Sequence, residues 1–155
     1  MSAPSLNTID FQLKDQNAQL RNFKEFQGQW VILYFYPKDD TPGCTTEACD
    51  FNDNLTAFSS SNATVIGVSP DSPESHKKFM EKYQLQITLL SDPEKKLHHV
   101  FGTWGIKKNY GKEYEGVIRS TFIIAPNGTV QESMRNVRAK GHAARVLKKF
   151  QELQL

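Results

Sequence analysis

The sequence has few of the features that mark specialised protein classes. Only 2 of its 155 residues are cysteines, too few for a disulfide scaffold or a four-ligand zinc site. The 19 basic residues exceed the 17 acidic ones by 2, so nothing indicates nucleic acid or an anionic membrane as a partner. The longest apolar run, Trp30 to Tyr36, is the length of a strand, whereas a membrane span needs about 18 residues.

The chain also shows no sign of targeting segments or of division into domains. The N-terminal residues 1–7 contain neither the basic nor the apolar region of a secretory signal, and they are too short and too poor in arginine for a transit peptide. We therefore expect a cytoplasmic protein. No internal repeat or linker tract interrupts the sequence, and 38% of it is apolar. A single domain over residues 1–155 is predicted.

The spacing of apolar residues predicts alternating strands and helices in the first half of the chain. The segment Ile9 to Phe26 contains a polar turn cluster and suggests a short hairpin. The run Trp30 to Tyr36 does not alternate, which is typical of a strand buried on both faces at the centre of a parallel sheet. A helix with one buried face is predicted from Gly43 to Phe58, and a second strand at Val65 to Val68.

The second half continues this alternation and ends in a hairpin and a helix. Ser72 and Pro73 have the residue types of a helix cap and a first helical position. The remaining predicted elements are a strand near Leu89-Leu90, a helix from about Glu94 to Phe101, a hairpin of Thr121 to Ile124 with Val130 to Met134, and a helix from about Ala143 to Leu153. This order predicts an α/β, thioredoxin-like fold: a mixed central sheet flanked by helices, with an N-terminal hairpin extension.

Cys44 lies where a helix is expected to begin. Thr41 is a suitable N-cap and Pro42 suits the first helical position, which places Cys44 in the first turn. Free backbone N–H groups and the helix dipole favour a thiolate there, and Gly43 allows a small ligand to approach the backbone closely. The alternative is that Cys44 is a small buried hydrophobe, as most free cysteines are.

The spacing of Cys44 and Cys49 has a mechanical consequence. In an ideal helix, residues five apart have Cα atoms roughly 8.6 Å apart, whereas a disulfide needs them within about 7 Å. If the two cysteines exchange electrons, the beginning of the helix must therefore unwind. A Cys-x-x-Cys pair would need no such motion, so the spacing argues against a thioredoxin-type dithiol exchanger.

Two motifs in the sequence give a specific resemblance. The pattern Pro37-x-x-x-Thr41-x-x-Cys44 resembles the active-site motif of the peroxiredoxins, and more narrowly that of the bacterioferritin comigratory protein or peroxiredoxin Q subfamily. The run from Trp104 to Phe122 is similar to the same subfamily. The resemblance covers nearly the whole chain, from about Ser5 to the C-terminus.

This resemblance implies roles for individual residues. It assigns Cys44 as the peroxidatic cysteine and Cys49 as the resolving cysteine of the same chain. Thr41 would bind the thiolate and the peroxide through its hydroxyl, Pro37 would shield the sulfur from water, and Arg119 would add a permanent positive charge beside the sulfur.

Further positions follow from the same resemblance. Glu47 matches a common subfamily position with a supporting hydrogen-bonding role, and Asn52 stands where many relatives have an arginine. The backbone amides of Gly43 and Cys44 are suitable donors for charge that develops on a departing oxygen. The resemblance implies no cofactor: no metal, flavin or haem is required.

The implied reaction is the thiol-dependent reduction of hydrogen peroxide and organic hydroperoxides. The oxidised Cys44 would form an intramolecular disulfide with Cys49, and thioredoxin or a similar dithiol would reduce it. We expect a monomer, because both cysteines lie on one predicted helix. The alternatives are a redox sensor that changes a partner surface and a chaperone-like thioredoxin fold with inert thiols, neither of which turns over peroxide.

Overall fold

The computed structural model describes residue 9 and residues 11–154. Its strands are β1 (Gln12–Asp15), β2 (Leu20–Asn22), β3 (Trp30–Phe35), β4 (Ala63–Ser69), β5 (Thr88–Ser91), β6 (Trp104–Asn109), β7 (Lys112–Val117), β8 (Ser120–Ile124) and β9 (Val130–Met134). Its α-helices are α1 (Pro42–Asp53), α2 (Leu55–Ser59), α3 (Pro73–Tyr83), α4 (Lys96–Phe101) and α5 (His142–Leu153), and a 3-10 turn covers Phe23–Phe26. None of these helices is long and apolar enough to cross a membrane.

Seven strands of the described chain form one mixed sheet, in the order β2-β1-β5-β4-β3-β8-β9. The neighbours β3, β4 and β5 are parallel, and the two predicted hairpins, β1–β2 and β8–β9, form antiparallel edges. The parallel centre extends only to one side of β3, because its other neighbour, β8, is antiparallel. The expected thioredoxin-like arrangement of a mixed sheet with flanking helices is confirmed.

Strand β3 is buried on both faces, as its unbroken apolar run predicts. Its side chains alternate between two cores, since successive residues of a strand point to opposite faces. One core receives Ile32 and Tyr34 and is covered by α1, α2, α3 and α5; the other receives Leu33 and Phe35 and is covered by α4 and the 3-10 turn. This double burial holds the carboxyl end of β3 in place, and the segment that leads to Cys44 begins there.

The predicted helix from Gly43 to Phe58 is wrong in one respect: it is two helices, separated at Asn54. The Asn54 backbone (φ −100°, ψ 9°) leaves the helical region, and its side-chain amide donates to the Asp50 carbonyl at 2.8 Å. Asparagine side chains compete with the helix for backbone hydrogen bonds, and this favours a break. Phe51 and Phe58 nevertheless enter the same core.

The antiparallel pair β6–β7 is missing from the predicted element order. Its turn consists of Tyr110 and Gly111, both with positive φ (52° and 78°), the conformation of a type I′ hairpin turn. Tyrosine is an unusual first residue for this turn, and most of β7 is exposed, so neither the usual turn residues nor apolar alternation marked the hairpin. Helix α4 is also shorter than predicted and begins at Lys96.

Candidate active site

The sheet register brings Arg119 to the segment that contains Cys44. Strand β3 is antiparallel to β8, and Phe35, its last residue, pairs with Ser120, the first residue of β8. Arg119 therefore precedes β8 at the carboxyl end of β3, where the chain leaves the sheet towards α1. Two residues 75 positions apart in the sequence meet because neighbouring strands run in opposite directions.

Helix α1 begins as predicted, but Thr41 does not cap it with its side chain. The Thr41 backbone is extended (φ −90°, ψ 156°) and Pro42 is the first helical residue, which leaves Cys44 in the first turn. The Thr41 hydroxyl donates instead to the Lys38 carbonyl at 2.9 Å. The first-turn N–H groups of α1 are thus not occupied by the cap side chain, and this end of the helix stays open to an anion.

Arg119 joins the thiol of Cys44 to a carboxylate. Its Nη2 donates to Cys44 Sγ at 3.3 Å, and its Nη1 donates to Glu47 Oε1. Cys44 is only 1% exposed. A Cβ atom on Gly43 would lie 3.4 Å from Arg119 Nη2, at van der Waals contact, so the guanidinium packs closely over this end of the helix.

Glu47 is a fully buried carboxyl with an unusual proton affinity. Burial raises its pKa from 4.5 to about 7, although the charge and hydrogen bond of Arg119 act in the opposite direction. Its second oxygen, Oε2, has no hydrogen-bond partner among the described residues. The charge balance around Arg119 therefore changes near neutral pH, as Glu47 gains or loses its proton.

Cys49 lies on the same helix in a different electrostatic environment. Both cysteines are free, and Cys49 is half-buried. Burial raises the pKa of Cys49, and the carboxylates of Asp53 and Asp50 raise it further. Cys44 lies beside a cation and Cys49 beside anions. Since α1 includes both residues without a break, an ideal helix keeps their Cα atoms roughly 8.6 Å apart.

Two further titratable side chains near the site, Lys107 and His142, were not given a role from the sequence. Burial lowers the pKa of Lys107, the charge of Arg119 lowers it further, and Cys44 raises it, which places the Lys107 ammonium within electrostatic reach of both. His142 shares a 2.7 Å hydrogen bond with the Thr121 hydroxyl, and burial, followed by Arg145 and Arg119, lowers its pKa to about 4. Lys107 belongs to the second motif, but a motif alone does not show which of its residues faces the thiol.

Two sequence candidates make no hydrogen bond, within the described residues, to the Cys44 thiol or to the guanidinium beside it. Pro37 is half-buried and directly follows the core residue Tyr36. Asn52 accepts a 2.7 Å hydrogen bond from the Gln86 backbone N–H and so connects α1 to the loop before β5.

His98 has a buried carboxylate partner. His98 Nδ1 lies 2.7 Å from Asp92 Oδ2, and both side chains are buried. Asp92 follows β5 directly and caps the beginning of α4 through the His98 backbone N–H, a contact that the linear sequence does not reveal.

A buried cysteine at the first turn of a helix, beneath an arginine and in a thioredoxin-like fold, defines a thiol-based redox enzyme. The AhpC/TSA family model matches residues 5–133. The Bacillus subtilis protein "Peroxiredoxin Bcp" is 46% identical over 144 residues, which cover 93% of this chain and 92% of that protein. The Escherichia coli "Peroxiredoxin Bcp" is 39% identical over 142 residues, covering 92% and 91%.

A solved structure shows the same likeness. The Xanthomonas campestris bacterioferritin comigratory protein, whose structures were described for its alkyl peroxide reduction activity, has a TM-score of 0.90 and 37% identity over 97% of this chain and 96% of its own. The chain belongs to the AhpC/TSA family. The expected likeness to the bacterioferritin comigratory protein or peroxiredoxin Q subfamily and the expected class of enzyme, a peroxidase that acts through a thiol, are confirmed.

Proposed function

We propose that Cys44 is the peroxidatic residue of this peroxidase. The observation that carries the proposal is the hydrogen bond of 3.3 Å from Arg119 Nη2 to Cys44 Sγ, made at the open first turn of α1. The thiolate attacks the terminal oxygen of a hydroperoxide, an S–O bond forms and the O–O bond breaks. Cys44 becomes a sulfenic acid, and the departing oxygen takes up a proton to leave as water or an alcohol.

The groups around the sulfur suit this transition state. The Arg119 guanidinium keeps its charge at any relevant pH and stabilises negative charge on the departing oxygen. The N–H groups of Gly43 and Cys44 at the helix end add two further donors. The Thr41 hydroxyl already donates to the Lys38 carbonyl, so its lone pairs are left to accept the O–H of the incoming hydroperoxide. Pro37 shields the same segment from water.

We further propose that Cys49 resolves the sulfenic acid. The Cys49 thiol attacks the sulfur of Cys44, an S–S bond forms, and the sulfenic oxygen leaves as water with the thiol proton. Because both residues lie on one intact helix, the first turns of α1 must unwind before the sulfurs can meet. The raised pKa of Cys49 keeps this thiol protonated, so Cys44, rather than Cys49, is the thiol that reacts first with peroxide.

The cycle closes when an external dithiol reduces the disulfide. Thioredoxin or a similar protein is the expected reductant, and hydrogen peroxide and organic hydroperoxides are the expected substrates. The alkyl peroxide reduction activity attributed to the Xanthomonas campestris relative supports the second substrate class. The reaction needs one copy of residues 1–155, acting as a single monomeric domain, and a reducing compartment such as the cytoplasm.

Peroxide consumption coupled to thioredoxin tests this cycle in three proteins: wild type, Cys44→Ser and Cys49→Ser. Cys44→Ser should not react with peroxide. Cys49→Ser should consume one equivalent quickly and then show little turnover, because its sulfenic acid has no partner in the chain. Undiminished turnover in Cys44→Ser would refute the assignment of Cys44. Rapid oxidation of wild type without turnover would favour a redox sensor.

A further inference from the structure

A buried polar cluster connects the segment before α1 to helix α3. It consists of Tyr36, Asp39, Ser75 and His76, and we call it the Asp39 cluster. Asp39 Oδ2 lies 2.7 Å from His76 Nδ1 and accepts from the Ser75 hydroxyl at 2.8 Å, while Asp39 Oδ1 accepts from the Tyr36 hydroxyl at 2.5 Å. The His76 side chain is fully buried, and that of Asp39 is 4% exposed.

The hydrogen-bond pattern gives both ring nitrogens of His76 a partner. His76 Nε2 lies 3.0 Å from the Leu90 carbonyl oxygen, which can only accept, so Nε2 carries a proton. His76 Nδ1 and Asp39 Oδ2 share a hydrogen bond at 2.7 Å, and the Tyr36 hydroxyl lies 3.4 Å from the same Nδ1. The His76 ring is therefore held between the Leu90 carbonyl and Asp39.

Neighbouring contacts fasten the same segment to the same side of the protein. The Asp39 backbone N–H donates to Asp71 Oδ2 at 2.7 Å, and Asp71 lies in the turn between β4 and α3. Asp40 accepts from Lys82 Nζ at 2.7 Å and from the Tyr83 hydroxyl at 2.5 Å, both near the end of α3. Residues 39 and 40 are thus held by α3 and the turn before it, and α1 begins two residues later.

We propose that Asp39 and His76 are positioning residues for the peroxidase reaction. The hydrogen bond between them fixes residues 37–41 against α3, and this keeps Pro37 and Thr41 in position at the beginning of α1. Because this anchor does not involve α1, the first turns of α1 can unwind towards Cys49 and rewind onto a fixed support. The inference rests on the proposed function, since it assigns Asp39 and His76 to the positioning of Thr41.

The chain contains a control for this pair that matches it in burial and in the distance from histidine to aspartate, although His98 Nε2, unlike His76 Nε2, has no hydrogen-bond partner among the described residues. His98 and Asp92 form a second buried histidine–carboxylate pair with the same Nδ1–Oδ2 distance of 2.7 Å and side chains that are 0% and 1% exposed. His98 packs against Phe35 on the other face of the sheet, with ring centroids 5.0 Å apart. Its carboxylate belongs to the segment after β5 and not to the one before α1.

The experiment compares His76→Phe with His98→Phe. Each change leaves a buried aspartate without its histidine hydrogen bond, so each should lower Tm by about 5 °C. The rate at which one equivalent of hydrogen peroxide oxidises Cys44, followed by stopped-flow fluorescence, should fall roughly 10- to 100-fold in His76→Phe. In His98→Phe this rate should change less than about twofold, because His98 lies on the other face of the sheet. A factor of two corresponds to about 0.4 kcal/mol.

Two further measurements keep the test decisive if His76→Phe folds poorly. His76→Gln, which retains one donor for Asp39, should show an intermediate rate at an almost unchanged Tm. In wild type, long-range ¹H–¹⁵N spectra should show a proton on His76 Nε2, because this nitrogen faces the Leu90 carbonyl oxygen. An unchanged oxidation rate in both His76 variants, an equal loss in His98→Phe, or an Nε2 without a proton would overturn the inference.

The design also separates failure of this inference from failure of the proposed function. If wild type is oxidised by peroxide at Cys44 and Cys44→Ser is not, the peroxidatic assignment stands whatever His76 does. If Cys44 does not react in wild type, both proposals fail. A reactive wild type with indifferent His76 variants would refute only the positioning role.

Discussion

Replacing Glu47 with glutamine should remove a pH-dependent loss of stability. Burial raises the pKa of Glu47 from 4.5 to about 7 in the folded chain. Between those two values the folded state holds the proton more often than the unfolded state does. The free energy of unfolding therefore falls as the pH rises through this window, and it stays reduced above pH 7.

The size of this effect follows from the two pKa values. A change from 4.5 to about 7 corresponds to about 3 kcal/mol. Glutamine has the shape of the acid and can still accept a hydrogen bond from Arg119, but it does not titrate. Relative to wild type, the Glu47→Gln variant should therefore gain about 3 kcal/mol of stability as the pH rises from about 4.5 to about 8.

Urea denaturation of both proteins at a series of pH values measures this difference. Taking the difference cancels the titration of the groups that the two proteins share, His142 included. Glu81→Gln, at an exposed position of α3, is the control and should show a difference that does not depend on pH. A flat difference for Glu47→Gln would refute the reasoning. A slope of opposite sign would mean that Arg119 outweighs burial and that Glu47 is ionised throughout.

Three more predictions concern the thiol, the helix and the core. Arg119→Ala should slow oxidation of Cys44 by hydrogen peroxide roughly 10- to 100-fold in stopped-flow measurements, because a hydrogen bond to a charged group contributes about 1.5–3 kcal/mol; an unchanged rate would remove Arg119 from the reaction. At the exposed position Thr46 in α1, glycine and alanine differ by about 1 kcal/mol in helix propensity. Thr46→Gly should therefore form the disulfide about fivefold faster than Thr46→Ala, and equal rates would contradict unwinding. The Tyr34 hydroxyl is buried without a partner among the described residues, so Tyr34→Phe should leave the free energy of unfolding unchanged or raise it by up to about 1 kcal/mol; a clear loss in urea denaturation would contradict this.

The parts of the fold that follow from local patterns could be predicted from the sequence. The apolar run of β3 indicated a strand buried on both faces, and Thr41 with Pro42 indicated where α1 begins. The β6–β7 hairpin was not predicted because its turn is Tyr110-Gly111 and its strands have no apolar pattern. The break at Asn54 was not predicted because the apolar spacing continues across it.

The site residues also fall into those that a local sequence pattern predicts and those that depend on distant parts of the chain. The sequence placed Cys44 in the first turn of α1, since caps and helix starts are local features. The contact of Arg119 with Glu47 depends on the pairing of Phe35 with Ser120, which is a property of the sheet. Without the resemblance, no local pattern would have chosen this arginine. The Asp39–His76 pair is equally non-local, because it joins residues 37 positions apart.

Because both thiols lie in the twelve residues of α1, the disulfide that we propose between them would close in a reaction that is first-order in protein. It would need no encounter between two molecules, so dilution would not lengthen the lifetime of the proposed sulfenic acid. At a low concentration of this protein, a second peroxide would therefore have no more time to oxidise Cys44 to the irreversible sulfinic acid.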